Sequence, residues 1–151
     1  ASDVYKRQTY QQVNERYCAF EKAILTHQCK CSLSEKLNIA EREATHCRND
    51  AAQAQCIQFL DVLKKQARFA LKLKSNTGVL PHAKAIRIQV GGLRGLQQVL
   101  DQEWSPSMPI DDVTTLITLA VTTYETLEEL PFSTIMQQIA AYQGRKRVGR
   151  R

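Results

Sequence analysis

Five cysteines carry the clearest chemical signal of this chain, because they all lie in one short stretch. Cys18, Cys29, Cys31, Cys47 and Cys56 occupy a 39-residue window of the 151 residues, with the spacing C-x10-C-x-C-x15-C-x8-C. Thiolates bind soft metals and iron–sulfur clusters, so this concentration indicates a metal centre. The odd number and uneven placement of the cysteines do not fit a framework of paired disulfides, and they indicate a reducing cytoplasm.

The spacing favours an iron–sulfur cluster over zinc. Structural zinc sites commonly contain C-x2-C pairs, whereas the closest pair here is Cys29-x-Cys31. A cubane cluster accepts four thiolates from separate segments at irregular separations. We therefore predict a cluster for electron transfer, redox sensing or structural stapling, ligated by Cys18, Cys31, Cys47 and Cys56, with Cys29 as the substitute for Cys31. Zinc, a thiol redox switch and ordinary buried cysteines without a cofactor stay open as alternatives.

The elements that must position these thiols are predicted to be helices, because apolar residues repeat at helical spacing along the chain. The predicted fold is all-α, a single domain built as an irregular bundle of five or six helices. The predicted helices are residues 9–27, a second helix from Ser32 or Asn38 to His46, residues 50–74 with Asn49 as the cap, residues 86–100, a helix that begins at Asp111, and residues 133–143. Since a helix rises ~1.5 Å per residue, Cys18, Cys47 and Cys56 can meet at similar heights. Cys31 reaches them only if the second helix begins late, at Asn38.

A glycine-rich segment offers a competing chemistry. Residues 85–90 alternate apolar and polar side chains before Gly91, Gly92 and Gly95, as a strand before a phosphate-binding loop would. The Gly-Lys-Ser/Thr ending of that loop is absent, and Val90 stands where the dinucleotide pattern needs a glycine. We predict instead that the glycines allow a neighbouring helix to approach closely.

Other constellations are incomplete. Glu43 and His46 have the Glu-x-x-His spacing of di-iron bundles, but no second pair exists in the sequence. His27 could replace a thiolate ligand or act as the base for a cysteine nucleophile, yet no third, orienting residue can be identified. Without a positioned acid–base pair, the sequence does not favour an enzyme.

Positive charge is concentrated at the C-terminus. The net charge is +6, and the last seven residues supply five cations, Arg145, Lys146, Arg147, Arg150 and Arg151. We predict that residues 144–151 form a disordered basic tail that could contact nucleic acid or another polyanion through its phosphates. Residues 1–8 resemble a translated sequencing adapter and are predicted to be a non-native leader, which leaves 9–143 as the helical domain.

A second class of function follows from the same features. In this alternative the chain is a helical interaction or adaptor protein, its cysteines are structural, and its basic tail contacts nucleic acid or a protein partner. No apolar run approaches the ~18 residues of a spanning helix, so no membrane association is predicted.

Overall fold

The computed structural model describes residues 15–70, 81–105 and 108–142. Within them the chain forms five α-helices, one 3-10 helix and one two-stranded antiparallel sheet. The elements in chain order are α1 (Glu21–Leu25), β1 (Ser34–Ile39), β2 (Arg42–Cys47), α2 (Asp50–Ala70), α3 (His82–Leu100), α4 (Val113–Tyr124), the 3-10 helix (Leu127–Glu129) and α5 (Phe132–Ala141). The predicted leader, residues 1–8, and the predicted basic tail, residues 144–151, lie outside the described residues.

The all-α prediction is wrong, because a β-hairpin stands where the second helix was predicted. β1 and β2 pair in register from Ser34 opposite Cys47 to Ile39 opposite Arg42. Only Ala40 and Glu41 connect the strands, with φ values of 47° and 60°. Two consecutive left-handed residues are the signature of a type I′ turn, whose twist matches that of the paired strands. The fold is therefore mostly helical with a small sheet.

Hydrogen bonds from a distant segment explain why the hairpin replaces the predicted helix. The backbone of Cys47 donates to the carbonyl of Arg16 at 2.6 Å, and that of Cys18 donates to the carbonyl of Thr45 at 3.0 Å. Tyr17 and His46 form an antiparallel bridge between these bonds. Residues 16–18 thus cover the outer edge of β2, and this long-range pairing overrides the local helix propensity of residues 32–46.

The predicted first helix is also much shorter than expected. Of the predicted helix over residues 9–27, the described part is helical only from Glu21 to Leu25, and Cys18 lies in the non-helical segment before it. Residues 9–14 lie outside the described residues. Cys18 is therefore not carried on a helix, and the helical heights used to predict convergence of the cysteines do not apply.

The helices after the hairpin confirm the sequence interpretation more closely. The side-chain oxygen of Asn49 accepts a hydrogen bond from the amide of Ala52 at 2.9 Å, so Asn49 caps α2 as predicted. The segment around Gly91 and Gly95 lies inside α3, which rules out a phosphate loop there. A Cβ atom on Gly91 would lie 2.5 Å from Cα of Ile139, and one on Gly95 would lie 2.6 Å from Cα of Ile135. These glycines therefore bring α3 against α5, which confirms their predicted role.

The hydrophobic core lies between α3, α5 and the middle of α2, where the side chains of Leu63, Leu93 and Ile139 are fully buried. α1 packs on the same core through Phe20, whose ring centroid lies 6.0 Å from that of Phe59. In the part of the chain that the structure describes, no helix is long and apolar enough to cross a membrane.

Candidate metal centre

Four of the five cysteines surround one small cavity. Cys18, Cys31, Cys47 and Cys56 all line it, although they come from four different segments. Cys18 precedes α1, Cys31 lies in the loop before β1, Cys47 ends β2, and Cys56 lies in the second turn of α2. The four residues predicted as ligands thus line one cavity, although the elements that position them differ from the predicted helices.

Backbone hydrogen bonds hold the segment that carries Cys18. The amide of Cys18 donates to Thr45, and its carbonyl accepts from the amide of Glu21 at 3.2 Å. On α2, the side-chain amide of Gln53 donates to the carbonyls of Tyr17 at 2.9 Å and Glu15 at 3.1 Å. This segment is therefore fixed both to β2 and to the helix that carries Cys56.

The thiols of Cys47 and Cys31 make hydrogen bonds of their own. The Cys47 thiol donates to the carbonyl of Asn49, with 3.3 Å between Sγ and O. Sγ of Cys31 lies 3.1 Å from Oγ1 of Thr114. The Cys31 carbonyl accepts from both the amide and the hydroxyl of Ser34, at 3.1 and 2.8 Å. Both sulfurs are therefore oriented by neighbours, and Cys47 is buried whereas Cys31 is partly buried.

The N-terminus of α4 closes the site from the other half of the chain. The carboxylate of Asp112 accepts hydrogen bonds from the amide and the hydroxyl of Ser32, both at 3.0 Å, and from the hydroxyl of Thr115 at 2.7 Å. Burial alone would raise the pKa of Asp112, but these hydrogen bonds outweigh it and lower the pKa. The cysteine loop is thereby attached to α4, which supplies Val113 and Thr114 to the cavity.

Burial dominates the electrostatics of the thiols. It raises the pKa of Cys56 to about 12, with further contributions from Cys31 and then Cys47. The pKa of Cys18 is also raised, first by burial, and also by its proximity to Cys56, Cys31 and Cys47, while a hydrogen bond from the Phe20 backbone offsets part of the increase. Cys18 and Cys56 are therefore neutral thiols at pH 7 in the metal-free protein. Reactive cysteines have lowered pKa values, so Cys18 and Cys56 do not suit the role of a nucleophile or a thiol switch.

Cys29 is separate from the other four. It does not line the cavity, it is 3% exposed, and its backbone forms a parallel bridge with Ile110. Burial, followed by its proximity to Cys31, raises the pKa of Cys29 to about 12. Cys29 thus behaves as a core residue, and Cys31 takes the position beside the other three thiols.

The size of the cavity bears on which metal could bind. Its volume is about 10 Å³, close to the smallest space that holds one water molecule. In residues 15–70, 81–105 and 108–142, no three histidine, cysteine, aspartate or glutamate side chains are arranged to hold a single metal ion. Four sulfurs ~2.3 Å from one zinc ion are therefore not preformed. A cluster needs its thiolates farther apart than one ion does, and it also needs more space than the cavity provides.

The other candidate residues, the pair Glu43 and His46 and the single His27, do not form a shared site. Glu43 and His46 lie three residues apart on β2, so they point to opposite faces of the sheet, and Glu43 pairs with Lys36 at 3.5 Å. His27 is exposed, with a φ of 65°, and it lines a different groove, away from the cysteine cavity. Thr114 is a contact that no sequence pattern indicated, because no spacing links it to Cys31 83 residues earlier.

Comparison of the chain with protein-family models, with curated proteins and with solved structures finds no match in any of the three. The interpretation of the site consequently depends on its own chemistry. That chemistry consists of four thiols, two of them with strongly raised pKa values, in a mainly apolar surrounding that includes Ala19, Phe20 and Ile24.

Proposed function

We propose that the protein binds an iron–sulfur cluster through Cys18, Cys31, Cys47 and Cys56. The observation that carries this proposal is that four thiols from four separate segments adjoin one cavity, while the fifth cysteine is buried elsewhere. A single buried cysteine is an ordinary small apolar residue, but a core gains nothing from gathering four of them. Cysteine thiolates are the usual ligands of such clusters.

The chain's own residues would shape the site in three ways. Phe20, Ile24 and Val113 exclude water from the sulfurs, which strengthens electrostatic interactions there. The Thr114 hydroxyl lies at hydrogen-bond distance from the Cys31 sulfur and can stabilise extra negative charge on it. Outward movement of the four side chains is needed to make room. When bound, the cluster supplies one-electron redox chemistry.

The proposed roles are electron transfer, redox sensing or structural stapling, in a reducing cytoplasm and with a protein partner. Stapling has the most direct structural support. The ligands come from the segment before α1, the loop before β1, the end of β2 and α2, so metal binding would stabilise the folded arrangement of all four. No reaction on a substrate is proposed for the site.

Anaerobic purification with iron and sulfide analysis tests the proposal. We expect a coloured protein whose iron content falls more than tenfold when any one of Cys18, Cys31, Cys47 or Cys56 is replaced by serine. Cys29→Ser is the matched control and should keep its iron, because Cys29 does not line the cavity. A colourless, iron-free wild-type protein would refute the cluster, and stoichiometric zinc would reassign the site to that metal.

The second candidate is a helical interaction or adaptor protein with structural cysteines. The specific observation in its favour is the small volume of the cavity, about 10 Å³. The four thiols pack together and leave almost no space for a ligand. In this case every single serine variant would lower stability modestly, by about 1 kcal/mol for a partly buried polar substitution, and none would change metal content.

A further inference from the structure

A second, much larger depression lies between the end of α1, one face of α3 and the end of α5. This basic groove is open and has a volume of about 1370 Å³. Its cationic and titratable lining residues are His27, His82, Lys84, Arg87 and Arg94, and none of the described lining residues is acidic. The groove therefore has a positive surface, in contrast to the neutral cysteine cavity.

The cations of the groove form a row along α3. Lys84, Arg87 and Arg94 follow spacings of three and seven residues, which place them on one helical face over roughly 15 Å. Arg87 donates from Nε to the carbonyl of Ile139 at 2.8 Å and from its guanidinium to the carbonyl of Ala140. These bonds cap the C-terminus of α5, which gives Arg87 a structural role beside its charge. Lys84 and Arg94 make no capping bond of this kind among the described residues.

Neutral groups hold Arg94 in position. Its guanidinium donates to Oε1 of Gln28 at 2.8 Å and lies 5.1 Å from the ring centroid of Tyr142. Of the ion pairs found within the described residues, neither involves Lys84, Arg87 or Arg94. Arg87 and Arg94 are therefore held in place, and no carboxylate of the described residues forms an ion pair with the row.

At one end of the groove, His82 lies close to a further cation. Nδ1 of His82 lies 3.0 Å from Nζ of Lys22. The pKa of His82 is lowered, first by burial and then by Lys22 and Arg42. Protonation of His82 is thus opposed first by burial and then by the two cations near this end of the groove.

We propose that the basic groove binds single-stranded nucleic acid through its phosphate backbone. An open groove leaves a small ligand largely exposed, whereas binding sites for small molecules usually enclose most of the ligand. A row of cations over roughly 15 Å fits successive phosphates, and the rings of Tyr142 and His27 are platforms of the kind on which bases stack. This proposal does not depend on the cluster.

The test is the affinity of the full chain for a fluorescently labelled oligo(dT) at several salt concentrations. The variant Lys84→Gln/Arg94→Gln removes two charges from the groove. Lys65→Gln/Arg68→Gln removes the same charge from exposed positions of α2 that do not line it. We expect the groove variant to bind at least tenfold more weakly at low salt, with a log–log salt slope smaller by about 1.4, since each phosphate contact to a single strand contributes about 0.7. The control should stay within about twofold of wild type.

Further variants distinguish binding by the groove from effects on folding and from binding by residues 144–151. Arg94→Lys keeps the charge and should retain most of the affinity, whereas a purely structural role of Arg94 would not be rescued by lysine. Equal losses in the two double variants would overturn the proposal. So would a deletion of residues 144–151 that abolishes binding while the groove variant binds like wild type. Binding of labelled poly-glutamate as tightly as oligo(dT), with the same dependence on Lys84 and Arg94, would refute nucleic acid as the ligand and assign an acidic protein instead.

Discussion

The cysteine cavity and the basic groove lie in neighbouring parts of one fold, but they differ in size, in the polarity of their lining and in charge. The cavity is small, is lined mainly by apolar side chains and thiols, and keeps the thiols of Cys18 and Cys56 uncharged. The groove is large and open, and neutral partners hold Arg87 and Arg94 in place without removing their charge. Burial therefore suppresses charge at one site, while exposure and neutral hydrogen-bond partners preserve it at the other. A metal would have to supply positive charge to the first site, whereas an anion would have to bring negative charge to the second.

High pH should affect the cysteine region most strongly. Thiols of the unfolded chain lose their protons near the ordinary cysteine pKa of 9.0, whereas burial raises the pKa of Cys29 and of Cys56 to about 12, and that of Cys18 is also raised. Between the unfolded and the folded pKa values, the unfolded chain binds fewer protons than the folded chain. The stability of the metal-free protein therefore falls as pH rises. We expect a loss of about 1.4 kcal/mol per thiol at pH 10, and thus about 4 kcal/mol for the three.

Urea unfolding of the reduced, metal-free protein at pH 8, 9 and 10 measures this loss. Cys29→Ala removes one titrating thiol without removing a proposed ligand, so its stability should depend on pH about one third less steeply. A stability that is constant from pH 8 to pH 10 would mean that the thiols are not desolvated as the structure indicates.

Gly91→Ala should have the next largest effect, and it should act on the basic groove. The added Cβ would meet the backbone of Ile139, which cannot yield without moving α5 away from α3. We expect a loss of about 2 kcal/mol in the free energy of unfolding and weaker oligo(dT) binding, with the iron content of the anaerobically purified protein unchanged.

Gly92→Ala is the matched control for this prediction. The nearest atoms that its added Cβ would meet belong to the Leu63 side chain, which can shift at lower cost than the backbone of Ile139. Thermal and urea unfolding should therefore show less than half the loss found for Gly91→Ala. Equal losses would show that the close approach of α3 and α5 is not what position 91 requires.

Asp112→Asn should give the smallest effect, confined to the cysteine side. The substitution weakens the hydrogen bonds from Ser32 and Thr115 that attach the cysteine loop to α4, and we expect a cost of about 1 kcal/mol near pH 7. Because the pKa of Asp112 is lowered in the folded state, its contribution is present above the ordinary aspartate pKa and is lost as pH falls through the folded pKa. Wild type and variant should therefore converge in urea unfolding at acidic pH.

The neighbouring carboxylate supplies the control for this variant. Asp111 is exposed and does not take part in the bonds to Ser32 and Thr115, so Asp111→Asn removes the same charge without loosening the loop. Its stability should stay close to that of wild type across the pH range. If both variants lost the same stability, charge near the start of α4 would matter and the hydrogen bonds of Asp112 would not.

Sequence patterns predicted these regions unequally for physical reasons. In α2 and α3, local signals and packing agree: Asn49 caps, apolar residues repeat at helical spacing, and the glycines face α5. In residues 34–47, strong helix formers such as Glu41 and Glu43 favoured a helix locally, but pairing with residues 16–18 decided the outcome. That pairing involves hydrogen bonds that no local pattern reveals.

The cysteine window indicated that the thiols lie near one another although their elements were misassigned, but it did not by itself separate Cys31 from Cys29. Their concentration in one window limits how far apart they can lie, whichever secondary structure connects them. Thr114 and the walls of the basic groove had no comparable signal. The row Lys84, Arg87 and Arg94 is visible as one helical face, but the groove exists only because the end of α1 and the end of α5 stand beside it.

The five-residue helix α1 and the residues that flank it contribute to both sites. Phe20 and Ile24 line the cysteine cavity, whereas the next residues, from Leu25 to Gln28, line the basic groove. The helix is too short to absorb a displacement along its length, and the bond from the Ala23 amide to Gln89 at 3.1 Å fixes its middle to α3. A ligand that tilts α1 at one site must therefore alter affinity at the other. By thermodynamic reciprocity, the second ligand would alter the affinity for the first by the same factor.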